Sequence, residues 1–205
     1  MNDEMRLTGQ GTLTDAAQAS MPDEEAMLLV RAGRVEMLDV LFNRYQGPLF
    51  NFFCKMTGDR GSSEDLVQDV FMRILKYRAT FRPGSSFRTW MYQIARNARL
   101  DRWRKQRPEL DAEVDETLTS SDRAPIEHVL QEQEAKLLHA ALMQLPVEKR
   151  ELLMLNRFQG LKYEEIGKMF DLETGTVKVR VFRALQELKG IYLEMEKGKR
   201  SVANL

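Results

Sequence analysis

The sequence predicts an all-α protein: two small helical domains joined by an acidic flexible linker, the second containing a helix-turn-helix. Three observations carry that reading. Apolar residues recur at intervals of three and four through most of the chain. One stretch, residues 145–189, sets two such stripes on either side of a short break. A formal net charge of zero hides blocks of opposite sign. Residues 76–107 carry ten basic side chains against one acid, 109–134 nine acids against one arginine, and 174–200 seven basic side chains against three acids.

The chain's 205 residues, 43% of them hydrophobic, are enough for two cores. Residues 1–22 lack periodic pattern and read as a disordered extension. They carry Asp3, Glu4 and Asp15 where a signal peptide would place a basic start and an apolar run. No stretch approaches a membrane span, so a cytoplasmic protein without membrane insertion is expected.

The first domain, 23–106, reads as four helices. Asp23, after Pro22, is placed to cap a short helix ending at Arg31. A longer one follows from Val35 through Leu38, Leu41, Phe42 and Tyr45, with Pro48 expected to kink or restart it. A third begins near Ser62 or Ser63 and runs to Tyr77, its stripe formed by Leu66, Val70, Ile74 and Tyr77. Asp65, Gln68, Asp69 and Met72 fall on another face of that helix, an acidic, amide-bearing surface around one thioether that suits protein docking as well as plain solvation. Pro83 and Gly84 then form a loop, and a fourth helix starts near Ser86. Phe87, Trp90 and Ile94 mark its core face, while Arg88, Arg96, Asn97, Arg99, Arg102 and Arg104 are expected outward. Arginines there can hold phosphates, Asn97 can hydrogen-bond a base, and Tyr92 or Trp103 can stack on an unpaired one. A basic helix can equally pair with an acidic protein.

Residues 107–125 hold two prolines, few large apolar side chains and a polar run, and read as the linker. About 18 residues span at most roughly 60 Å when extended. The second domain, 126–195, contains the helix-turn-helix, and 196–205 form a basic tail. Tyr163, Ile166 and Phe170 line its first helix; Val177, Val181, Leu185 and Leu188 line the second. The break between them has Thr174 available as a cap. Stepping about 100° per residue from Val177 turns Val179, Phe182, Arg183 and Gln186 outward, with Lys178 and Arg180 on opposite flanks. The flanks can grip two phosphate strands, Arg183 or Gln186 can read a base edge, and Val179 or Phe182 can touch a thymine methyl.

A single cysteine, Cys54, forms no internal disulfide and is read as a core thiol. It has no companions for a zinc site, since His128 and His139 are isolated, so no metal or cofactor is expected. No phosphate loop, H-E-x-x-H pair or nucleophile elbow is present, which argues against an enzyme. A conventional helix-turn-helix repressor or activator, and a protein-binding adaptor, remain as alternatives to set beside a nucleic-acid reader with two modules.

The segments SSEDLVQDVFMRILKYRATFRPGSSFRTWMYQIARNARLDRWRK and LPVEKRELLMLNRFQGLKYEEIGKMFDLETGTVKVRVFRAL, in that order around a linker, resemble a bacterial extracytoplasmic-function (ECF) sigma factor of the sigma-70 family. Upstream, GRVEMLDVLFNRY resembles that family's first helix. The resemblance implies a subunit that binds core RNA polymerase, directs it to promoters and promotes DNA opening, usually under control of an anti-sigma factor. By position it assigns Asp65, Gln68, Asp69 and Met72 to the clamp coiled coil of core polymerase. It assigns the loop around Phe81, Arg82 and Ser85, with Arg88, Arg96, Asn97, Arg99 and Arg102, to the melted −10 element. Thr176, Lys178, Val179, Arg180, Phe182 and Arg183 are assigned to the duplex −35 element. Asn156 stands where the family commonly has Arg, and Val179 where Ser is frequent.

Overall fold

The computed structural model describes residues 20–106 and 126–203, and every secondary-structure element among them is helical. The linker 107–125 and most of the N-terminal extension lie outside the described residues. Helix α1 (Asp23–Arg31) buries Ala26, Met27 and Val30. Pro22, not Asp23, occupies its N-cap. The Asp23 carboxylate instead accepts hydrogen bonds from the Arg44 guanidinium at 2.5 Å and from the Tyr45 hydroxyl, tying α1 to the next helix. Met21 is also buried, so packing begins just ahead of α1.

A 3-10 turn, Val35–Met37, leads into α2 (Leu38–Thr57), which buries Leu41, Leu49, Phe52, Phe53 and Met56. Pro48 does not end it: the helix runs through, and stops only where Gly58 takes a left-handed φ of 75° and returns its N–H to Cys54. Cys54 itself is half-buried rather than a full core thiol. Helix α3 (Arg60–Tyr77) starts earlier than the serines implied, because Asp59 is the cap, accepting from the N–H groups of Gly61 at 3.2 Å and Ser62 at 2.8 Å. Hydrogen bonds from Ser62 hold the Asp59 carboxyl below its usual range. Leu66, Val70 and Ile74 are buried as their spacing requires, whereas Tyr77 is exposed. Helix α4 (Phe87–Gln106) closes the first module, packing across α3.

The second module comprises α5 (Ile126–Gln144), α6 (Val147–Leu153), α7 (Tyr163–Phe170) and the long α8 (Thr174–Ala203). Between α6 and α7, Met154–Phe158 form a π-turn in which Gln159 N–H reaches the Met154 carbonyl at 2.9 Å. That extra residue per turn rotates Gln159 inward. The break between α7 and α8 depends on Gly167. A Cβ there would come within 2.7 Å of the Leu172 carbonyl oxygen, while the backbone N–H of Leu172 bonds the Gly167 carbonyl at 2.9 Å. Asp171 supplies the left-handed residue, with φ 54°. Gly175, by contrast, faces open space.

The two modules share one apolar core cluster, and a group of buried charges lies in the seam between them. Glu151 on α6 is only 3% exposed, and its carboxylate faces Arg99 at 3.1 Å and Arg96 at 3.6 Å, both on α4. Its neighbour Arg150, 4% exposed, donates to the carbonyls of Met143 at 2.8 Å and Leu145 at 3.0 Å in its own module, and to Met56 of α2 at 2.9 Å. Around this centre the Tyr92 hydroxyl donates to Gln159, the Thr89 hydroxyl donates to Glu165 at 2.6 Å, and the Arg96 guanidinium lies 4.3 Å from the Phe170 ring centroid. Burial, together with Lys55 and Arg150, pushes the His139 imidazole below its usual range near the same seam.

Two outcomes follow from this packing. Gly167→Ala should cost about 1–3 kcal/mol in urea unfolding, whereas Gly175→Ala should be neutral or slightly stabilising; equal effects would remove the close approach as the reason for glycine at 167. Glu151→Ala leaves Arg96 and Arg99 facing Arg150 without a counter-charge. It should weaken the joined arrangement by about 3 kcal/mol and raise the radius of gyration in solution scattering. An unchanged scattering profile would mean that the carboxylate does not hold the modules together.

Candidate nucleic-acid and polymerase-docking interfaces

Three surfaces can be built from these elements. The first is the head of α8. Val177, Val181 and Ala184 are buried against the rest of the module, which fixes the helix about its axis. Lys178, Arg180 and Arg183 are then exposed, and with them two large apolar side chains, Val179 and Phe182, the latter 60% exposed. Thr176 is half-buried at the start of the arc. Cations flanking exposed apolar groups on the second helix of a helix-turn-helix match the needs of a major groove, where phosphates are held at the edges and base edges and methyls are met at the centre. The Glu165 carboxylate caps α7 by accepting from Lys162 N–H at 2.7 Å, and Asn156 donates to the Leu161 carbonyl at 2.9 Å, so the turn before α7 is held on both sides.

The second surface is the outer face of α3. Asp65, Gln68 and Met72 are exposed there, Met72 to 67%, and Asp69 is half-buried. Both carboxylates are held in place. Arg102 of α4 pairs with Asp65 at 3.2 Å, and Arg73 donates to Asp69 at 3.0 Å while also bonding Asp101 at 2.7 Å. An acidic rim around a flexible, exposed thioether offers both charge and apolar contact to a protein partner.

The third surface is the loop 82–86 with α4, and here the structure departs most from the sequence-based expectation. Arg82, Arg88 and Asn97 are exposed, and Ser85 half-exposed. Phe81, expected at nucleic acid, is 1% exposed: it packs edge-on against Phe87 and Trp90, and its side chain belongs to the core. Tyr92, considered for stacking, is fully buried, and its ring meets Phe52. Arg96 and Arg99 are largely covered, their side chains 25% and 11% exposed, with the second module lying over them through Glu151. Arg102 is turned toward Asp65 and Ser62. Helical spacing sets these arginines off the apolar core face of α4, in positions expected outward. It carried no information that another module lies over them.

Several residues of the sites were missed entirely. Arg150 and Glu151 sit four positions before Met154 and Leu155 on the same helical face, which was the available sign that these charges point inward. Gln159 reaches Tyr92 only because of the π-turn, for which the sequence carries no recognisable pattern.

Family models place these surfaces in known regions. Residues 41–109 match Sigma-70 region 2, and residues 135–188 match Sigma-70, region 4. The chain is 30% identical over 156 residues to the ECF RNA polymerase sigma factor SigM of Bacillus subtilis, covering 76% of this chain and 94% of that protein. It is 29% identical over 177 residues to the RNA polymerase sigma-H factor of Pseudomonas aeruginosa, covering 81% and 91%. Among solved structures, the sigma factor RpoE of Bartonella quintana, in complex with the anti-sigma factor NepR, aligns with a TM-score of 0.62 at 24% identity, over 75% of this chain and 95% of that one. CnrH, in complex with the cytosolic domain of CnrY, aligns at 0.61 and 20% identity, over 82% and 96%; both likenesses bear on the fold. Two matched regions in the right order, together with relatives spanned almost end to end, make this chain a member of the ECF family of RNA polymerase sigma factors.

Proposed function

We propose that this protein recruits core RNA polymerase in the cytoplasm to two-part promoters and opens them, dividing the work among the three surfaces. The observation that carries this reading is the exposed arc of Lys178, Val179, Arg180, Phe182 and Arg183 on α8, a basic, partly apolar surface with the shape of a major-groove reader. It takes the −35 element as duplex. Arg183 is the base-reading candidate at its centre, and Lys178 and Arg180 hold phosphates. The outer face of α3, with Asp65, Gln68, Asp69 and Met72, takes the clamp coiled coil of the polymerase. The loop 82–86 with Arg88 and Asn97 takes the unstacked −10 strand, where a flipped base is most cheaply held while nearby arginines neutralise its phosphates. In this family no bond-making chemistry falls to the sigma subunit; the polymerase supplies it.

Arg96 and Arg99 belong to the same −10 surface and are occupied by Glu151 in this conformation. A carboxylate and a phosphate compete for the same guanidiniums, so engagement of the full −10 surface requires the two modules to part. The interface suits such a separation. The Nε atoms of Arg96, Arg99 and Arg150 are buried without hydrogen-bond partners while Glu151 Oε1 lies 3.1 Å from Arg99, so the guanidiniums are paired but incompletely satisfied. The structure of RpoE with NepR supports an anti-sigma factor as the controlling partner of this chain as well.

Transcription with purified bacterial core polymerase on a promoter-fragment library tests the reading. Protein-dependent initiation from a shared two-part sequence is the expected result. Specific duplex binding by the free protein without any initiation would favour a conventional regulator. Arg183→Ala should weaken −35 duplex recognition by about 1–3 kcal/mol, measured as loss of discrimination between cognate and altered −35 sequences. Asp65→Asn with Asp69→Asn should lower core affinity roughly tenfold or more at a stability cost of about 1 kcal/mol or less, since the Asp65 pair is exposed, the Asp69 pair is only half-buried and Asp101 remains to pair Arg73; holoenzyme formation at wild-type affinity would remove the docking assignment.

A further inference from the structure

Helix α1 lies upstream of the stretch that matches region 2, which begins at residue 41, and none of the three surfaces uses it. It nevertheless contacts the loop 82–86 at both ends. The Arg31 guanidinium donates to the carbonyl of Phe81 at 2.9 Å, immediately before the loop. The Glu24 carboxylate accepts from the backbone N–H of Phe87 at 3.0 Å, immediately after it. These residues lie seven apart, two turns along one face of a helix that is itself anchored by Ala26, Met27 and Val30 in the core and by Asp23 on Arg44 and Tyr45.

The Glu24 contact has a definite chemistry. Phe87 N–H is one of the first donors of α4, which no carbonyl within the helix can satisfy. Ser86 caps α4 locally, its hydroxyl accepting from Thr89 N–H at 3.3 Å, and Glu24 completes the end with a full negative charge at the positive pole of the helix. Inside the loop, Ser85 N–H bonds the Arg82 carbonyl at 3.1 Å, and Gly84 takes φ 78°. The loop is therefore a short tethered turn, its apolar anchors Phe81 and Phe87 buried and its polar members Arg82 and Ser85 carried outward. Fixing both ends in advance spares the ordering entropy that a free strand would otherwise have to overcome on binding.

We infer that Glu24 and Arg31 are positioning residues for promoter opening: from α1 they fix the two ends of the loop 82–86, and so the geometry with which it receives an unstacked base. This rests on the assignment of that loop to the −10 element. Neither side chain needs to touch DNA.

The test uses holoenzyme assembled from core polymerase and the full chain, with permanganate reactivity of −10 thymines reporting opening. Core affinity and −35 duplex binding are measured alongside. Glu24→Ala and Arg31→Ala should each lower −10 reactivity roughly tenfold, about the effect of losing one helix cap, with core and −35 binding unchanged. Glu24→Gln keeps an oxygen that can accept from Phe87 N–H and should stay within about threefold of wild type. Arg82→Ala and Arg88→Ala serve as controls on the loop. Wild-type opening by the α1 variants, with opening lost in these controls, overturns the positioning role alone. Wild-type opening in all of them overturns the −10 assignment and the inference with it. A fall in core affinity parallel to the loss of opening, in Glu24→Ala and Glu24→Gln alike, would make α1 a merely structural helix and also overturn it.

Discussion

The carboxylate of Glu151, shut away from water between two helical modules, is the constraint on which the arrangement of this protein turns. A charge at 3% exposure is tolerable only beside opposite charge, and Arg99 and Arg96 supply it from the other module. Once that pairing is made, α4 must lie across α6 and α7. Tyr92 then meets Gln159, Thr89 meets Glu165, and Arg96 lies over Phe170. Arg150 adds a second link, spending one donor on Met56 while the others close its own module. Apolar burial builds each module and continues across the seam as one core cluster, and the buried charges add a polar link to it.

The same choice of bond explains why the joined form can open. The apolar part of the seam is held together by water whatever the ligand, whereas the guanidiniums paired to the carboxylate there are also natural partners for phosphate. A polyanion approaching α4 offers Arg96 and Arg99 what Glu151 offers, with many more charges. The surfaces proposed to meet duplex DNA and polymerase are different in kind. The arc on α8 and the outer face of α3 are exposed in this conformation, and the carboxylates of α3 are steadied by Arg73 and Arg102 rather than covered. On the proposed assignment, the surfaces for polymerase and for the −35 duplex are thus accessible before the −10 surface is complete.

Much of the fold was legible in the sequence wherever one helix face alone decided the outcome. Leu66, Val70 and Ile74, and later Val177, Val181 and Leu188, are buried as their spacing demands, and the outward set on α8 follows from the same wheel. Legibility failed where helical periodicity does not decide, at local caps and turns and at contacts made from elsewhere in the chain. Asp59 displaced the serines as the cap of α3 because a carboxylate three residues ahead of Ser62 satisfies two N–H groups at once. Pro48 is absorbed within α2, and no periodicity foretells the π-turn at Met154–Phe158. For the −10 surface, a helical wheel found the basic face of α4 but not its cover. Nor could it find Glu24 and Arg31, which act on a loop more than fifty residues downstream.

The separation of the two modules is the central claim to measure. Spin labels at exposed Lys76→Cys and Lys136→Cys, in a Cys54→Ser background, report the distance between α3 and α5 in the free protein and in holoenzyme bound to an open promoter. One narrow distance is expected in the free protein and a distinctly different, broader or longer one in the promoter complex. An unchanged distance in a transcribing complex would show that Arg96 and Arg99 never leave Glu151, and the proposed competition between carboxylate and promoter would be wrong.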